Sequence, residues 1–583
     1  MMQANQYRWV SLLFGITVSL VFLQVGCCFQ PNTVTFPTAN LISLFAKRGN
    51  ENDSSSPTRA TYLATCGPGL AHVLQRELED MRMKINHPDD IIDIDLSGKA
   101  AVTFEATREA SLYALCWLRS AHQLLELVAT TGQSASEGSY DVDRNSLLYT
   151  RHDVHDFVRD CVNVKELLGD GKGGMLTVSV KAILNSPQKL PKDLSHSHYT
   201  ALTIKNSLCD VVRDMRGDRP NVELENPDVP LVAILRGVNV DENNNDGGAA
   251  SLSIFRSLHP PGSLHKRGYR QGSVIHKAAM KESMAAGLLI EAGWKEKVEA
   301  AIISASNEQD EEEDQQQHQL KFIDPMAGSG SLVLEACMMA TDIAPGLMRI
   351  RCGIPNHSTP PVIRWKSSSD DDDIDDVDAA AVWKNILLDA TQRAKAGIQL
   401  MREHPSLIQI TGNDIHPRAV DIMESALSSA GLLNFVSVSN KDCYDLETND
   451  VDDENDSNSD NINNNIEYFV ATNPPWGVRL TEDIEESWEG LKHFIRDKCP
   501  SGTEVYILSG DKTATATLKL RRDRMIPLQT GDQNLRWIRY TIRGKRQAVR
   551  SDPNANVSEN VNVEATKGKS IPNVASAATD SWT

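Results

Sequence analysis

A short proline-rich motif, Asn473-Pro474-Pro475-Trp476, follows an apolar, strand-like run at residues 467–471. The prolines fix φ and supply no N–H, which holds the Asn473 side chain and the Pro474 carbonyl in a set geometry as hydrogen-bond acceptors. Two such acceptors can bind both protons of one amino group, and the Trp476 ring offers a flat face to a base taken out of its stack. The motif predicts a site for an exocyclic amine; a turn with a core tryptophan is the alternative.

A glycine-rich loop at residues 324–331 (Asp-Pro-Met-Ala-Gly-Ser-Gly-Ser) lies between a predicted strand and a helical pattern that begins at Leu332. Glycine lets a backbone turn tightly and a ligand approach, and the helix behind it begins with unpaired N–H groups. The loop predicts a cradle for a polar or zwitterionic cofactor. Its candidate contacts are Asp324, Met326, Gly328 and Gly330. Taken alone, the loop also fits an ordinary strand-to-helix turn or a dinucleotide site.

Two further carboxylates follow predicted strands. Asp414 comes after the strand at 408–411, and Asp442 comes after the strand at 435–438. In doubly wound sheets ligands bind at the carboxyl ends of the strands, so Asp414 is the candidate for ribose hydroxyls and Asp442 for an adenine amino group. One such aspartate alone is typical of a helix cap or a turn. Three acids at successive strand ends favour a binding site.

Alternating strands and helices position these motifs. Short apolar strands are predicted at residues 321–323, 408–411, 435–438, 467–471 and 505–509. This alternation predicts a doubly wound, Rossmann-like α/β domain at residues 256–545.

Two smaller α+β modules are predicted upstream, at residues 59–150 and 151–255. In the first, a strand at 61–65, a helix at 70–81 and strands at 91–96 and 101–104 precede a helical pattern at 110–128. In the second, a strand at 176–181, a helix at 199–216 and strands at 231–235 and 251–258 are predicted.

Six ordered motifs resemble those of the bacterial large-subunit ribosomal RNA guanine-N2 methyltransferases and their transfer RNA relatives, which carry a THUMP domain. They are residues 263–270 (Ser-Leu-His-Lys-Arg-Gly-Tyr-Arg), Lys281-Glu282 with Ala285-Ala286, 324–331, 340–346, 412–420 and 473–480. The likeness covers residues 60–545. Ala327 stands where the family commonly has Cys, and Trp476 stands where Tyr is usual; both keep size or stacking.

The resemblance implies a class I methyltransferase domain, preceded by a ferredoxin-like module and a THUMP-like RNA-binding module. It implies that S-adenosylmethionine binds the glycine-rich loop and that Asn473, Pro474, Pro475 and Trp476 bind the target amine. RNA is the implied partner, with large-subunit ribosomal RNA ahead of transfer RNA. The implied RNA contacts are His265, Lys266, Arg267, Arg270 and Lys205, although the resemblance leaves open whether the basic segment 264–270 helps to hold RNA or the cofactor.

The formal charge of -20 does not exclude an RNA partner. Three low-complexity stretches, at 308–314, 370–378 and 447–460, together hold 20 acidic residues and no basic one, so the rest of the chain is near neutral. We interpret these acidic insertions, near 308–317, 368–378 and 447–465, as solvated loops.

The first 58 residues read as a targeting leader. Arg8 precedes an apolar run at residues 9–25, and small residues follow at 26–28, as in a signal peptide. The junction at 26–31 (Gly-Cys-Cys-Phe-Gln-Pro) resembles bipartite plastid leaders of algae with secondary plastids. A plastid location is expected; a mitochondrial location, a membrane anchor and secretion are the alternatives.

Other features set the remaining expectations. Ten cysteines without a CxxC pair indicate reduced thiols, and residues 546–583 read as a disordered tail. No metal and no permanent membrane association are expected, and the oligomeric state is left open. Methylation of DNA adenine N6 or of a protein glutamine uses the same Asn-Pro-Pro-aromatic chemistry, and a non-catalytic ribosome-assembly factor is a further alternative.

Overall fold

The computed structural model describes most of the chain between residues 58 and 543. The described ranges are 58–85, 87–131, 147–168, 176–238, 248–270, 279–307, 318–365, 378–448, 466–475, 484–531 and 533–543. The predicted tail, the leader up to residue 57 and nearly all of the acidic insertions lie outside these ranges. The described strands form two seven-stranded sheets.

The first sheet contains strands of both upstream modules, in the order β2-β3-β1-β4-β7-β6-β5. Its elements are β1 (Ala60–Thr65), α1 (Ala71–Lys84), β2 (Ile91–Leu96), β3 (Ala101–Ala106), α2 (Arg108–Trp117), β4 (Gln123–Thr130), α3 (Arg151–Cys161), α4 (Val164–Leu168), β5 (Val178–Asn185), α5 (Ser197–Arg216), β6 (Val229–Val238) and β7 (Ala249–Ser257). Only β5 and β6 pair in parallel among these strands. The two modules join where β4 pairs with β7, so one continuous sheet runs through both.

The helix predicted at residues 110–128 is wrong in its second half. The helix ends at Trp117, and after a short turn the chain enters β4, which lies between β1 and β7. The N–H groups of Arg119 and Ser120 donate to the Glu77 carboxylate, at 2.9 and 3.0 Å, instead of continuing the helix. Consecutive residues Leu124, Leu125 and Glu126 of β4 are buried, so both faces are covered there, and periodicity alone cannot separate such a run from a buried helix.

The second sheet confirms the doubly wound fold, in the order β10-β9-β8-β11-β12-β14-β13. Its elements are α6 (Glu282–Glu291), α7 (Trp294–Asn307), β8 (Gln319–Asp324), α8 (Ser331–Ala340), α9 (Pro345–Arg351), α10 (Ala379–Glu403), β9 (Ile408–Asn413), α11 (Pro417–Ala430), β10 (Ser437–Ser439), β11 (Ile466–Thr472), α12 (Ile484–His493), β12 (Glu504–Ser509), α13 (Lys512–Thr517), β13 (Arg524–Thr530) and β14 (Gln533–Thr541). Strands β8 to β12 pair in parallel, and β14 runs antiparallel to β12. The β13–β14 hairpin had no counterpart in the sequence analysis.

Buried aromatic rings hold the central strands of this sheet in place. Trp294 of α7 lies 5.0 Å from Phe322 of β8 and 5.2 Å from Phe469 of β11, measured between ring centroids. Phe469 in turn lies 5.1 Å from Tyr506 of β12. The Trp294 indole also donates to the Ala336 carbonyl of α8 at 3.1 Å. Through Trp294, these contacts join α8, the helix that follows the glycine-rich loop, to strands β8 and β11.

The first module covers the edge strand β13 of the second sheet. The N–H of Gln529 donates to the Pro68 carbonyl at 3.2 Å. Gly69 has φ of +98°, and a Cβ there would lie 2.5 Å from the Pro527 carbonyl oxygen. The upstream loop therefore needs glycine to approach this edge, which would otherwise present unpaired backbone groups.

Two further properties of the described residues concern the hydropathy of the helices and the state of the cysteines. No single helix among them has the length and hydropathy of a membrane span; the helices Ser331–Ala340 and Pro345–Arg351 meet that test only as a pair bent by 110°. Both helices of that pair are largely buried in the core. The eight cysteines that the structure describes are free, as the predicted reduced thiols require.

Candidate active site

Parallel pairing brings the predicted motifs to one edge of the second sheet. Ile323 of β8 lies opposite Val470 of β11, and Asp324 lies opposite Gly412 of β9. The glycine-rich loop, Asp414 and the Asn473 turn therefore leave the sheet at the same carboxyl edge, which is where doubly wound sheets bind ligands.

The two glycines of the loop have left-handed backbone conformations, with φ of +56° at Gly328 and +76° at Gly330. A Cβ at Gly330 would lie 2.6 Å from Met423 Cγ, so packing against α11 requires glycine there. A Cβ at Gly328 would meet no atom within 4 Å, so this residue borders open space. This leaves room for a ligand on the Gly328 side of the loop, and the predicted cofactor cradle there stays a prediction.

Asp414 fixes the conformation of this loop. Its Oδ2 accepts from the Gly328 N–H at 2.8 Å, and its Oδ1 accepts from the His416 N–H at 2.9 Å. A carboxylate has about four lone-pair positions, so two of them remain for a ligand such as a ribose hydroxyl. Asp414 therefore holds the loop in place through Gly328. Its contact with a ribose hydroxyl stays a prediction.

Asn413 is a site residue that the sequence analysis missed. Its amide donates to the carbonyls of Pro325 and Lys441, both at 3.0 Å, and its oxygen accepts from Ser439 Oγ at 2.7 Å. The side chain is fully buried and joins the exits of three neighbouring strands. The predicted strand stops at residue 411, so the only available signal was an asparagine just beyond an apolar strand, because a buried amide must find partners.

The Asp324 carboxyl is buried, at 1% exposure, below the loop. Its pKa is raised from 3.8 to about 7, chiefly by burial and in smaller part by Asp414, against the lowering effect of the Thr472 side chain and the Met326 N–H. A buried carboxylate at this position favours a cationic ligand group, which would balance its charge.

We expect Asp324→Asn to stabilise the protein without ligand at neutral pH. The folded pKa lies above the unfolded one, so Asp324 ionises at a cost that builds as pH rises from about 4 to 7 and is constant above. The free energy of unfolding of the variant should exceed that of the wild type by up to about 4 kcal/mol at pH 8 and by much less at pH 4.5. Urea denaturation at the two pH values measures this; an equal difference at both would contradict the shifted pKa.

The Asn473 turn is supported from behind by α12. The indole of Trp488, which is fully buried, donates to the Pro475 carbonyl at 2.7 Å. Pro474 is buried and Asn473 is half-buried at the sheet edge. Trp476 lies outside the described residues, so its predicted stacking role stays a prediction.

Asp442 follows strand β10 and caps the start of a short 3₁₀ turn. Its Oδ1 accepts from the Tyr444 N–H at 2.8 Å. A Cβ added at Gly490 of α12 would lie 3.5 Å from the same oxygen, so α12 packs closely on this turn. The predicted contact of Asp442 with an adenine amino group stays a prediction.

The basic segment 263–270 divides into buried and exposed residues. Arg267 is 0% exposed and pairs with Glu335, so the predicted contact of Arg267 with RNA is wrong. Arg270 is 7% exposed and binds the glycine-rich loop, so its prediction as an RNA contact is wrong for the same reason. Lys266 is exposed and His265 is half-buried, with its Nδ1 2.7 Å from Ser263 Oγ.

Burial, together with the charges of Lys281, Arg267 and Lys266, lowers the pKa of His265 to about 4, so the ring is neutral at pH 7. Lys205, the remaining predicted RNA contact, lies on α5 of the first sheet and is half-buried. The RNA contacts of His265, Lys266 and Lys205 stay predictions.

Two family models match the chain. The model described as "RMKL-like, methyltransferase domain" matches residues 314–539, and the THUMP domain model matches residues 178–240. Each match lies within the corresponding predicted domain, at 256–545 and 151–255; the predicted boundaries themselves stay predictions.

Curated relatives carry the name ribosomal RNA large subunit methyltransferase K/L. The protein of Dichelobacter nodosus is 28% identical over 460 residues, which are 78% of this chain and 49% of that protein. The protein of Pseudomonas putida is 25% identical over 499 residues, 84% of this chain and 54% of that protein. The chain thus spans about half the length of the curated relatives it matches.

Solved structures share the fold at low sequence identity. SMU.472, complexed with SAH, has a TM-score of 0.56 at 16% identity and covers 84% of this chain and 100% of its own. A predicted N6-adenine-specific DNA methylase from Listeria monocytogenes has a TM-score of 0.55 at 18% identity, with 83% of this chain and 97% of its own covered. Residues 314–539 of this chain thus match an RMKL-like methyltransferase domain, and residues 178–240, upstream of it, match a THUMP domain.

Proposed function

We propose that the chain transfers a methyl group from S-adenosylmethionine to the exocyclic N2 of a guanine in large-subunit ribosomal RNA. The observation that carries the proposal is the placement of the Asn473-Pro474-Pro475 turn beside the glycine-rich loop, on adjacent parallel strands of one sheet edge. The names of the curated relatives and the THUMP match support the choice of RNA over other amine substrates.

The residues at this edge fit S-adenosylmethionine. Open space at Gly328 admits a ligand against the loop backbone, and the buried Asp324 carboxylate suits the ammonium group of the methionine portion. The unpaired N–H groups at the start of α8 suit its carboxylate, and Asp414 keeps lone pairs for ribose hydroxyls. The cofactor supplies an electrophilic methyl group on a sulfonium.

The Asn473 turn would act on the guanine. The lone pair of N2 is delocalised into the base, which makes the amine a weak nucleophile. Acceptors at Asn473 and the Pro474 carbonyl would bind the two N2 protons and favour the more tetrahedral, attacking form. Transfer to N2 would form the N2–C bond as the S–CH3 bond breaks, which would leave a neutral thioether, and the amine would release one proton to solvent. Trp488 keeps the turn in place through Pro475.

The decisive experiment gives the full-length protein labelled S-adenosylmethionine and, in separate reactions, unmodified large-subunit ribosomal RNA and transfer RNA. The RNA is digested to nucleosides, and the labelled product is identified. Label in N2-methylguanosine from ribosomal RNA supports the proposal, and label from transfer RNA alone moves the substrate to transfer RNA. Cofactor binding without label in either RNA would contradict the proposal and favour a DNA or protein substrate or a non-catalytic assembly factor.

We further propose that residues 1–58 direct the protein to a plastid. The proposal is based on the succession of a basic residue, an apolar run and small residues within residues 8–31. A fluorescent protein fused behind residues 1–58 should accumulate in plastids of an alga with secondary plastids. Accumulation in mitochondria or in a membrane would contradict this.

A further inference from the structure

The Arg270 side chain reaches from the chain segment upstream of the methyltransferase family match into the glycine-rich loop. Its Nη2 donates to Ser331 Oγ at 2.6 Å and to the Ser329 carbonyl at 3.4 Å. Its Nη1 donates to the Met280 carbonyl at 3.3 Å. One buried guanidinium thus joins the end of the loop, the first residue of α8 and the chain just before α6.

Ser331 and Glu282 complete this arrangement. Ser331 Oγ accepts from Arg270 and donates to the Met280 carbonyl at 3.1 Å. The Glu282 carboxylate lies 3.7 Å from Arg270 Nη1, and both side chains are buried. The charge of Arg270 is therefore balanced inside the protein, which leaves the side chain directed at the loop rather than at a phosphate in solvent.

We infer that Arg270 is a positioning residue for the cofactor. It holds Ser329 and Ser331 so that Gly328 and the first N–H groups of α8 face S-adenosylmethionine. The inference rests on the proposed function. It holds that Arg270, which lies outside the matched domain, sets the conformation of the glycine-rich loop that binds the cofactor. Arginine suits this role because its planar fork reaches a hydroxyl and carbonyls at the same time, whereas lysine carries a single nitrogen on a flexible stem.

The test compares Arg270→Lys with Arg256→Lys in the full-length protein. Arg256 is also largely buried and pairs with Glu126 at 2.5 Å, but it lies on β7 of the first sheet. By calorimetry with S-adenosylmethionine alone, we expect Arg270→Lys to raise the dissociation constant about ten-fold, because charge-assisted hydrogen bonds to the loop are lost. Arg256→Lys should leave the dissociation constant unchanged, with a similar or larger loss of thermal stability.

A second readout separates positioning from a general structural effect. With RNA as substrate, Arg270→Lys should raise the KM for S-adenosylmethionine while kcat stays within about two-fold, since the side chain does not touch the reacting atoms. Ser331→Ala removes the shared acceptor, so adding Arg270→Lys to Ser331→Ala should weaken binding less than Arg270→Lys does alone.

Three results would overturn the inference. They are wild-type affinity in Arg270→Lys, equal weakening by Arg270→Lys and Arg256→Lys, and a fall in kcat without a change in KM. The proposed function fails separately, when the wild-type protein itself binds no S-adenosylmethionine.

Discussion

Asn473→Ala is expected to abolish most methyl transfer while the protein stays folded and keeps its cofactor. The substitution removes one acceptor for the N2 protons and leaves both prolines, which fix the backbone of the turn. Loss of one preorganised hydrogen-bonding group in an active site lowers kcat by about 10²- to 10³-fold. Because Asn473 is only half-buried and does not belong to the glycine-rich loop, cofactor binding should change little.

Single-turnover assays with saturating labelled S-adenosylmethionine measure this effect, and calorimetry measures cofactor binding in the same preparation. Asn473→Asp keeps an acceptor oxygen at the same position, so it should retain more activity than Asn473→Ala. Asn434→Ala is a matched control, because Asn434 is exposed on a 3₁₀ turn before β10. Wild-type kcat in Asn473→Ala, or a rate loss that follows a loss of cofactor binding, would contradict the proposed role.

The sequence predicted the positions of candidate residues in the fold best where their surroundings are local. Asp324 and Gly328 follow a short apolar strand and precede a helix, and Asp414 follows the next predicted strand. The parallel pairing of β8 and β9 then brings Asp414 to Gly328. The sequence indicated this proximity only indirectly, through the predicted doubly wound fold, in which neighbouring strands end at one edge.

Long-range contacts account for what the sequence could not show. Residues 263–270 have no periodicity, so nothing local separates the exposed Lys266 from the buried Arg267, whose partner Glu335 lies 68 residues away. Likewise, the strand at residues 123–130 owes its conformation to pairing with β7, more than a hundred residues downstream. Burial and partner, not residue type, decide whether a basic side chain binds RNA or holds the fold together.

We expect loss of the buried Arg267–Glu335 pair to lower the free energy of unfolding more than loss of a surface ion pair does. Both side chains are 0% exposed, with Nε 3.1 Å from Glu335 Oε1, and Arg267 Nη1 also donates to the Leu264 carbonyl at 2.8 Å. Its Nη2 donates to the Arg119 carbonyl, so the pair ties the first module to α8. Burial lowers the pKa of Arg267, but Glu335, Tyr269 and Glu282 together raise it above its usual value, so the guanidinium stays charged.

Arg267→Met is expected to lower the free energy of unfolding by about 3–5 kcal/mol, because it leaves the Glu335 carboxylate buried without its partner. Glu335→Gln should cost a similar amount for the converse reason. The double variant should cost less than the sum of the two, since neither charge then remains unpaired. Urea denaturation measures all three, with Lys84→Met as control: Lys84 pairs with Glu299 on the surface and should cost less than about 1 kcal/mol. Additive costs, or single costs as small as that of the control, would show that the buried pair is not what joins the first module to α8.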